Sequence, residues 1–218
     1  MNEMTAVETL GNSPRPASRD AFEQHGYTIL PALLEPALAD FFWSYIYTKF
    51  VSLLLLEGDK TVPNTPSVYG DPAFEALLEY LRPQIETVTG CRLYPTFSYF
   101  RLYKRGDILK RHRDRPACEI SLSLNIGQTP AAPWPLHVEG KTGPNTAILL
   151  PGDALIYRGI DCFHWRDPYE GSQLAQVFLH YVDRDGPHAD QKFDTRQSLM
   201  RPKPSDKTVE NGTTINSD

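Results

Sequence analysis

Three residues with metal-binding side chains stand out in the chain: His112 and Asp114, separated only by Arg113, and His164. Two neutral imidazoles and one carboxylate on one face of iron(II) leave the other coordination positions open, as in iron centres that activate oxygen. In an extended strand, residues two apart point the same way, so His112 and Asp114 would face one centre and Arg113 the other side. The third ligand would come from a distant strand folded back over the first. His-x-Asp alone is weak evidence, because surface charge clusters produce it often, so the surrounding elements decide its meaning.

The composition is that of a folded, aromatic-rich protein. Of 218 residues, 40% are hydrophobic and 11% aromatic, which is too apolar for a disordered chain. The net charge of −5 argues against a nucleic-acid partner, since nucleic-acid-binding surfaces are normally basic. The longest apolar run, 50–56, is too short to span a bilayer, and the N-terminus has no basic-then-apolar signal pattern. Three cysteines without CxxC spacing fit reduced thiols. We therefore expect a cytoplasmic protein with no nucleic-acid or membrane partner.

The chain predicts one domain between two flexible ends. Residues 1–18 are rich in Asn, Ser, Thr and Pro, and the tail 201–218 has almost no apolar residues, so neither is expected to hold a fixed structure. The domain between them, 19–200, divides into helical support at 19–90 and a β-rich core at 91–185.

Three helices and one strand are predicted in the supporting segment. A short helix at 19–24 precedes a strand at 27–30, and continuous helical potential runs over 35–56. The third helix starts after the N-cap Asp71 and stops at Gly90. Its apolar residues recur at i, i+3 and i+4 spacing, which predicts a stripe that faces the core. These residues are Phe74, Leu77, Leu78, Leu81 and Ile85.

From Leu93 onward, short β-type runs alternate with turn signals. The runs are TFSYFRLY, EISLSLNI, WPLHVEG, TAILL, ALIYRG and AQVFLHYV, separated by turns that contain Gly, Pro and Asp. Many short strands with such punctuation predict a β-sandwich or barrel, with the helices covering one face. The His-x-Asp triplet precedes one of these strands and His164 lies between the last two, so all three candidate ligands fall in the β region.

Several segments, in this order, resemble the iron(II)- and 2-oxoglutarate-dependent oxygenases, above all their prolyl-hydroxylase-like and phytanoyl-CoA-hydroxylase-like members. SYFRLYKRGDILKRHRDRPACEISLSLNIG is similar to the family's tyrosine-bearing strand, Gly-Asp turn and His-x-Asp. PGDALIYRGIDCFHWRDPYEG is similar to the turn and strand that lead to the distal histidine, and AFEQHGYTILPALL to the opening segment. The resemblance covers 20–185 and implies a mainly β fold with N-terminal helices. Its core, at 91–185, would be a double-stranded β-helix (a cupin-like jelly roll) flanked by helices.

The resemblance implies that His112, Asp114 and His164 bind iron(II), with 2-oxoglutarate and O₂ as cosubstrates. Family members also pair the distal carboxylate of 2-oxoglutarate with a basic residue on the last core strand. This chain departs from that pattern, because it has no Lys or Arg between Arg166 and Arg184. Another residue must then supply the contact with the cosubstrate.

Two arginines are candidates for that contact. Arg166 stands two residues after His164 and shares its face if the backbone there is extended, and a guanidinium pairs well with a carboxylate in a dry pocket. Arg101 is the second candidate, with Tyr103 on the same face of its strand. Tyr103 stands nine residues before the His-x-Asp triplet, where relatives place a tyrosine hydroxyl on the cosubstrate. We favour Arg166 assisted by Tyr103, and the alternative for Arg166 is an exposed ion pair with a neighbouring carboxylate.

Three further polar residues lie near these motifs. His137 is expected to face solvent or to line the pocket. His180 is expected to pack within its strand, with a place in the pocket wall as the alternative. Asn125 either contacts the cosubstrate or the substrate, or is an ordinary turn residue before Gly127.

The function implied by the resemblance is hydroxylation of an unactivated C–H bond in a small molecule or amino acid. Asp114 argues against halogenation, because halogenating relatives replace the metal carboxylate with a small residue. Three alternatives stay open. The protein could hydroxylate a protein side chain, it could be an iron oxygenase that does not use 2-oxoglutarate, or it could be a cupin-like protein that binds a ligand without catalysis.

Overall fold

Two β-sheets and three α-helices make up the structure, a computed structural model that describes residues 19–54, 58, 62–63, 65–129 and 133–201. The helices are α1 (Arg19–His25), α2 (Pro36–Val51) and α3 (Pro72–Thr89). The strands are β1 (Tyr27–Leu30), β2 (Ser67–Tyr69), β3 (Leu93–Lys104), β4 (Leu109–His112), β5 (Ile120–Thr129), β6 (Leu136–Gly140), β7 (Gly143–Ala147), β8 (Ala154–Arg158), β9 (Phe163–Arg166) and β10 (Gln173–Asp183). The chain ends expected to be flexible lie outside the described residues, apart from Arg201.

The larger sheet has the strand order β1-β8-β5-β10-β3-β2, and the smaller sheet has the order β4-β9-β6-β7. Neighbouring strands in both sheets are antiparallel. Buried residues of both sheets form one apolar cluster, which includes Tyr103, Leu136, Val138 and Tyr157. The two sheets therefore face each other, and the prediction of a mainly β fold with N-terminal helices is confirmed.

Residues along the central strands of the larger sheet alternate between two environments, because successive side chains of a strand point to opposite faces. One set packs in the apolar cluster that includes the helices: Ile120, Leu122, Leu124, Ile126, Ala175, Val177, Leu179 and Tyr181. The residues between them point towards the smaller sheet: Ser121, Ser123, Asn125, Gln176, Phe178 and His180. The alternating letters of EISLSLNI and AQVFLHYV thus separate a packing face from a largely polar face.

Helix α3 covers the packing face and begins and ends as predicted. The side chain of Asp71 accepts hydrogen bonds from the amides of Ala73 (3.0 Å) and Phe74 (3.4 Å), which caps the first turn. Gly90 has φ 70°, a left-handed conformation that glycine adopts at low cost. The predicted apolar stripe is buried in the cluster with the sheet, so this helix prediction is confirmed.

Helix α2 ends earlier than predicted. Its last residue is Val51, and Leu53 has φ 54°, so the predicted continuation to Leu56 is wrong within the described residues. The side chain of Leu53 is 89% exposed. A further helical turn here would bury no apolar surface, and tertiary packing supplies most of the stability of a helix. None of the described helices is long and apolar enough to cross a membrane.

Two segments of the smaller sheet also differ from the prediction. A strand was expected at 146–150, but the strand in this region, β7, spans Gly143–Ala147. These residues pair with β6. The chain then leaves the sheet, and Ile148 and Leu150 are exposed. The short strand β9 was not predicted. It pairs with both β4 and β6, and these neighbours hold four residues extended that have no strand pattern of their own.

Candidate metal centre

Strands β4 and β9 bring the three candidate ligands together. His112 and His164 are register partners across the two strands, and their ring centroids are 4.2 Å apart. Asp114 lies just beyond the end of β4, with Oδ1 3.8 Å from Nε2 of His112 and 3.6 Å from Nε2 of His164. The side chain of Arg113 is exposed, whereas those of its two neighbours are partly buried. Two imidazoles and one carboxylate thus converge within 4.8 Å of one another.

Backbone carbonyls determine which nitrogen of each candidate ligand histidine carries the proton. Nδ1 of His112 lies 2.8 Å from the carbonyl oxygen of Lys110, and Nδ1 of His164 lies 3.2 Å from that of Cys162. A carbonyl only accepts, so each Nδ1 is the donor and each neutral ring keeps a lone pair on Nε2. Burial lowers the pKa of His164, which favours the neutral form that binds metals. Both lone pairs are therefore available on the atoms that face Asp114.

Asp114 is held by its backbone and by one of its two carboxylate oxygens. Its amide donates to the carbonyl oxygen of Gly159 (2.9 Å). The hydroxyl of Ser121 donates to Oδ2 at 2.8 Å, while Oδ1 is the oxygen closest to the two histidines. Hydrogen bonds of this kind to a metal ligand fix its orientation. One oxygen is anchored and the other is presented to the centre.

Gly159 leaves the space that this carboxylate occupies. A Cβ at this position would lie 2.2 Å from the carbonyl oxygen of Cys118, 2.5 Å from Oδ2 of Asp114 and 2.8 Å from the hydroxyl oxygen of Ser121. The first of these contacts is with backbone, which a side-chain rotation does not relieve. The absence of a side chain at Gly159 is a condition for the position of Asp114.

A cavity of about 390 Å³ opens beside the three candidate ligands, between the two sheets. Much of its wall is aromatic and is formed by Tyr69, Phe97, Tyr99, Tyr157 and Phe178. Among the described residues that line it, Asp114 is the only carboxylate and three residues are arginines, of which Arg115 pairs with Asp194. The site therefore attracts anions, and a cavity of this size suits a small molecule.

Tyr103 and Arg101 line the inner part of this cavity, on the face of β3 where they were expected together. The hydroxyl of Tyr103 is fully buried and has no hydrogen-bond partner among the described residues. Burial raises the pKa of Tyr103, and the guanidiniums of Arg101 and Arg166 oppose that rise. A buried hydroxyl without a partner costs free energy, so its position near two cations fits an anionic ligand.

Arg166 shares the buried face of β9 with His164, as expected for an extended segment. Its guanidinium donates to the backbone oxygen of Trp134 and, at 3.1 Å, to Oε1 of Gln176. Burial lowers its pKa to about 10, and no carboxylate among the described residues pairs with it. The alternative of an exposed ion pair is wrong, because only 3% of Arg166 is exposed. It is not among the described residues that line the cavity.

The other three polar residues have different surroundings. His180 is buried and lines the cavity. His137 lies outside the cavity, with Nδ1 3.0 Å from the hydroxyl of Thr146 and its ring stacked on Trp165. Asn125 is buried and donates to the carbonyl oxygen of Leu149 at 2.7 Å. It lies inside β5, which continues through Gly127 to Thr129, so the expected turn at this point is wrong.

Sequence reasoning missed Ser121, Gly159 and Tyr157 as residues of the site. The letters of EISLSLNI place Ser121 on the polar face of β5, and that alternation is the one available signal. The contacts of Gly159 and Tyr157 depend on how distant strands meet. The phenol oxygen of Tyr157, for example, lies 3.5 Å from Nε2 of His164.

Comparison with known proteins identifies the fold. No family model matches the sequence, and no curated protein sequence is significantly similar to it. A prolyl-4-hydroxylase from Pseudomonas putida matches with TM-score 0.64 and 18% identity, over 76% of this chain and 97% of its own. The α-ketoglutarate-dependent epimerase SnoN from nogalamycin biosynthesis matches with TM-score 0.66 and 11% identity, over 86% and 94%. HygX from Streptomyces hygroscopicus, solved with nickel and 2-oxoglutarate, matches with TM-score 0.58 and 12% identity, over 76% and 86%. The predicted double-stranded β-helix fold is confirmed.

Proposed function

We propose that this protein is an iron(II)- and 2-oxoglutarate-dependent oxygenase that hydroxylates an unactivated C–H bond of a small molecule. The observation that carries the proposal is the convergence of two Nε2 lone pairs and Oδ1 of Asp114 beside an aromatic-lined cavity. The similarity to SnoN and HygX, which are described with α-ketoglutarate and with nickel and 2-oxoglutarate, supports it.

His112, Asp114 and His164 would hold the iron(II) ion. Two imidazole nitrogens and one carboxylate oxygen suit this ion and leave coordination positions open. Iron(II) held there with 2-oxoglutarate would supply the activation of O₂, so that one oxygen atom would enter the substrate and the other would enter the succinate formed when 2-oxoglutarate loses CO₂. The protein contributes the orientation of the ligands, which the carbonyls of Lys110 and Cys162 fix through the two histidine rings.

Arg166 and Tyr103, with Arg101, would hold the distal carboxylate of 2-oxoglutarate. Gln176 accepts a hydrogen bond from Arg166 and is the register partner of Arg101, so both arginines are neighbours of Gln176. Along β9, the step from His164 to Arg166 is two residues, or about 6–7 Å, which is close to the length of an extended five-carbon diacid. A buried guanidinium is stabilised when a carboxylate pairs with it, and the hydroxyl of Tyr103 would gain the partner that it lacks.

The proposal is tested by titrating the anaerobic protein with iron(II), with and without 2-oxoglutarate. A chelated keto acid gives a visible metal-to-ligand charge-transfer band, and we expect this band in the wild type and its loss in His164→Ala. Arg166→Gln should weaken the binding of 2-oxoglutarate by about 10- to 100-fold, as expected for a lost charge-assisted hydrogen bond. A larger effect of Arg101→Gln would assign the contact to Arg101 instead.

The conversion of 2-oxoglutarate to succinate in the absence of a substrate gives a second measurement. Slow formation of succinate that requires iron(II), O₂ and 2-oxoglutarate together is the expected result. Oxygen consumption that does not require 2-oxoglutarate, or iron binding without the band, would contradict the proposal and favour an oxygenase that needs no cosubstrate. Absence of iron binding would favour a ligand-binding protein.

A further inference from the structure

The outer part of the cavity carries one cation that no described carboxylate neutralises. Arg113 and Arg115 both line the cavity, and both are exposed residues. Arg115 is engaged, because its guanidinium donates to both carboxylate oxygens of the buried Asp194, at 2.6 and 2.9 Å. Arg113 forms no ion pair with a described residue, and its guanidinium lies 4.1 Å from the ring centroid of Phe163.

Arg111 provides an internal comparison. Its guanidinium lies over the same ring of Phe163, at 3.6 Å from the centroid, but it pairs with Glu139 at 2.7 Å and is not among the described residues that line the cavity. Two arginines thus share one aromatic ring. Only Arg113 combines a place in the cavity wall with a charge that is available to a ligand.

Aromatic rings form other parts of the wall of the same cavity. Tyr69 and Phe97 stack at 5.0 Å with an interplanar angle of 25°, and Tyr99 and Phe178 lie across β3 and β10 with ring centroids 6.5 Å apart. Aromatic side chains favour offset or edge contacts with another ring at such distances. The walls therefore suit a planar ring.

His180 presents an acceptor in the same region. Its Nδ1 lies 3.0 Å from the hydroxyl oxygen of Ser121, whose single proton is directed to the acceptor oxygens of Asp114 and Cys118. Ser121 must therefore accept from His180, so Nδ1 carries the proton and the lone pair of a neutral ring is on Nε2. Burial lowers the pKa of His180 to about 4, which keeps the ring neutral. No described residue hydrogen-bonds Nε2, and the residue lines the cavity.

We propose that the cavity selects small aromatic acids that also carry an O–H or N–H group. Arg113 binds the acidic group at the mouth, the aromatic walls hold the ring, and Nε2 of His180 accepts the hydrogen bond. This inference rests on the proposed function, because it concerns the substrate of the same centre. It assigns Arg113 and His180 to substrate recognition and leaves Arg101 and Arg166 to the cosubstrate.

Three matched probes test the inference by calorimetric titration of the anaerobic protein loaded with iron(II) and 2-oxoglutarate. They are 4-hydroxyphenylacetate, its neutral amide 4-hydroxyphenylacetamide, and phenylacetate, which lacks the hydroxyl group. We expect the hydroxy acid to bind at least about tenfold more tightly than the amide and about fivefold more tightly than phenylacetate. Arg113→Gln should remove the preference for the hydroxy acid over the amide, so that the two bind with equal affinity. Arg111→Gln should preserve that preference.

The hydroxyl preference is tested at His180. His180→Phe should abolish the preference over phenylacetate, and His180→Gln, which restores an acceptor, should recover part of it. Failure of 4-hydroxyphenylacetate to bind, equal binding of acid and amide, or an unchanged ratio in Arg113→Gln would overturn the inference. The charge-transfer band is recorded in the same samples. Its presence with any of these outcomes leaves the proposed function intact, and its absence from the wild type contradicts the proposed function separately.

Discussion

The two faces of β5 and β10 have opposite chemistry although they alternate along the same residues. The helix-side face is uniformly apolar and packs on α2 and α3. The opposite face carries Ser121, Gln176 and His180, and these are buried as deeply as the apolar residues. Burying polar groups costs free energy unless they are hydrogen-bonded. Here Ser121 bonds His180 and the Asp114 carboxylate, and Gln176 donates to Ser123.

Along these two strands, residues that stabilise the fold alternate with residues that surround the candidate centre, so adjacent residues have different roles. A change on the packing face should lower the free energy of unfolding and leave the centre intact. A substitution on the polar face, or in the loops that meet it, should alter binding more than folding, whereas protonation of a buried histidine on that face should lower stability. Four substitutions or conditions test this separation.

The largest effect is expected from Gly159→Ala. A Cβ there would lie 2.2 Å from a backbone oxygen and 2.5 Å from Oδ2 of Asp114, so the carboxylate must move, and metal sites tolerate ligand shifts of only about 0.2 Å. We expect iron affinity to fall by at least about 100-fold, measured by competition with a chelator. Gly106→Ala is the control, since a Cβ there meets nothing within 4 Å. It should lower stability modestly, because Gly106 has φ 84°, and leave iron affinity unchanged. Unchanged affinity in Gly159→Ala would contradict the role assigned to this glycine.

The packing face is tested by Leu122→Ala, at a residue that is fully buried in the helix-side cluster. Removing a buried leucine side chain costs about 2–5 kcal/mol of stability, measurable by urea unfolding. The folded variant should still bind iron with the affinity of the wild type. A loss of iron affinity comparable to the loss of stability would show that the two faces are coupled.

The polar face is tested by pH. Burial lowers the pKa of His180 to about 4 and also lowers that of His164, so the unfolded chain takes up protons first as the pH falls below about 6.5. Stability is therefore complete above this pH and is lost towards pH 4, with about 3 kcal/mol from His180 alone in the metal-free protein. Urea unfolding from pH 7 to 4 measures this loss. His180→Phe should flatten the dependence, and an equally steep dependence in that variant would contradict the assignment.

The smallest effect is expected from Ser121→Ala, which removes the hydroxyl that donates to Oδ2 of Asp114. Loss of such a supporting hydrogen bond weakens metal affinity by about 10- to 100-fold. Ser123→Ala is the matched control, because Ser123 lies on the same face of β5 but bonds Gln176. Equal iron affinity in the two variants would argue that Asp114 needs no support from Ser121.

Local patterns predicted the elements whose causes are local. The cap at Asp71, the stop at Gly90 and the apolar stripe of α3 each depend on neighbours within a few residues, and all three are seen in the structure. Strand alternation likewise places Arg101 and Tyr103 on one face. The predicted end of α2 was wrong. A run of apolar residues favours a helix, but it does not show whether the folded protein has a surface on which that helix could pack.

The contacts of the centre depend on strand pairing that no local pattern specifies. The His-x-Asp triplet and His164 could be singled out as candidates, but their approach depends on the pairing of β4 with β9. Ser121 on β5 and Gly159 in the loop after β8 both contact Asp114, which follows β4. The position of Arg166 on the buried face followed from alternation, whereas its hydrogen bonds to Trp134 and Gln176 required the folded chain.

The central claim is that His112, Asp114 and His164 form one iron site, and the most direct test is iron stoichiometry. Wild type and alanine variants are loaded with iron(II) without oxygen, desalted and analysed for metal. We predict one iron per chain in the wild type and in His137→Ala, whose histidine lies outside the cavity. We predict none in His112→Ala, Asp114→Ala or His164→Ala, each with a native circular dichroism spectrum. Full iron content in any of these three variants would contradict the claim.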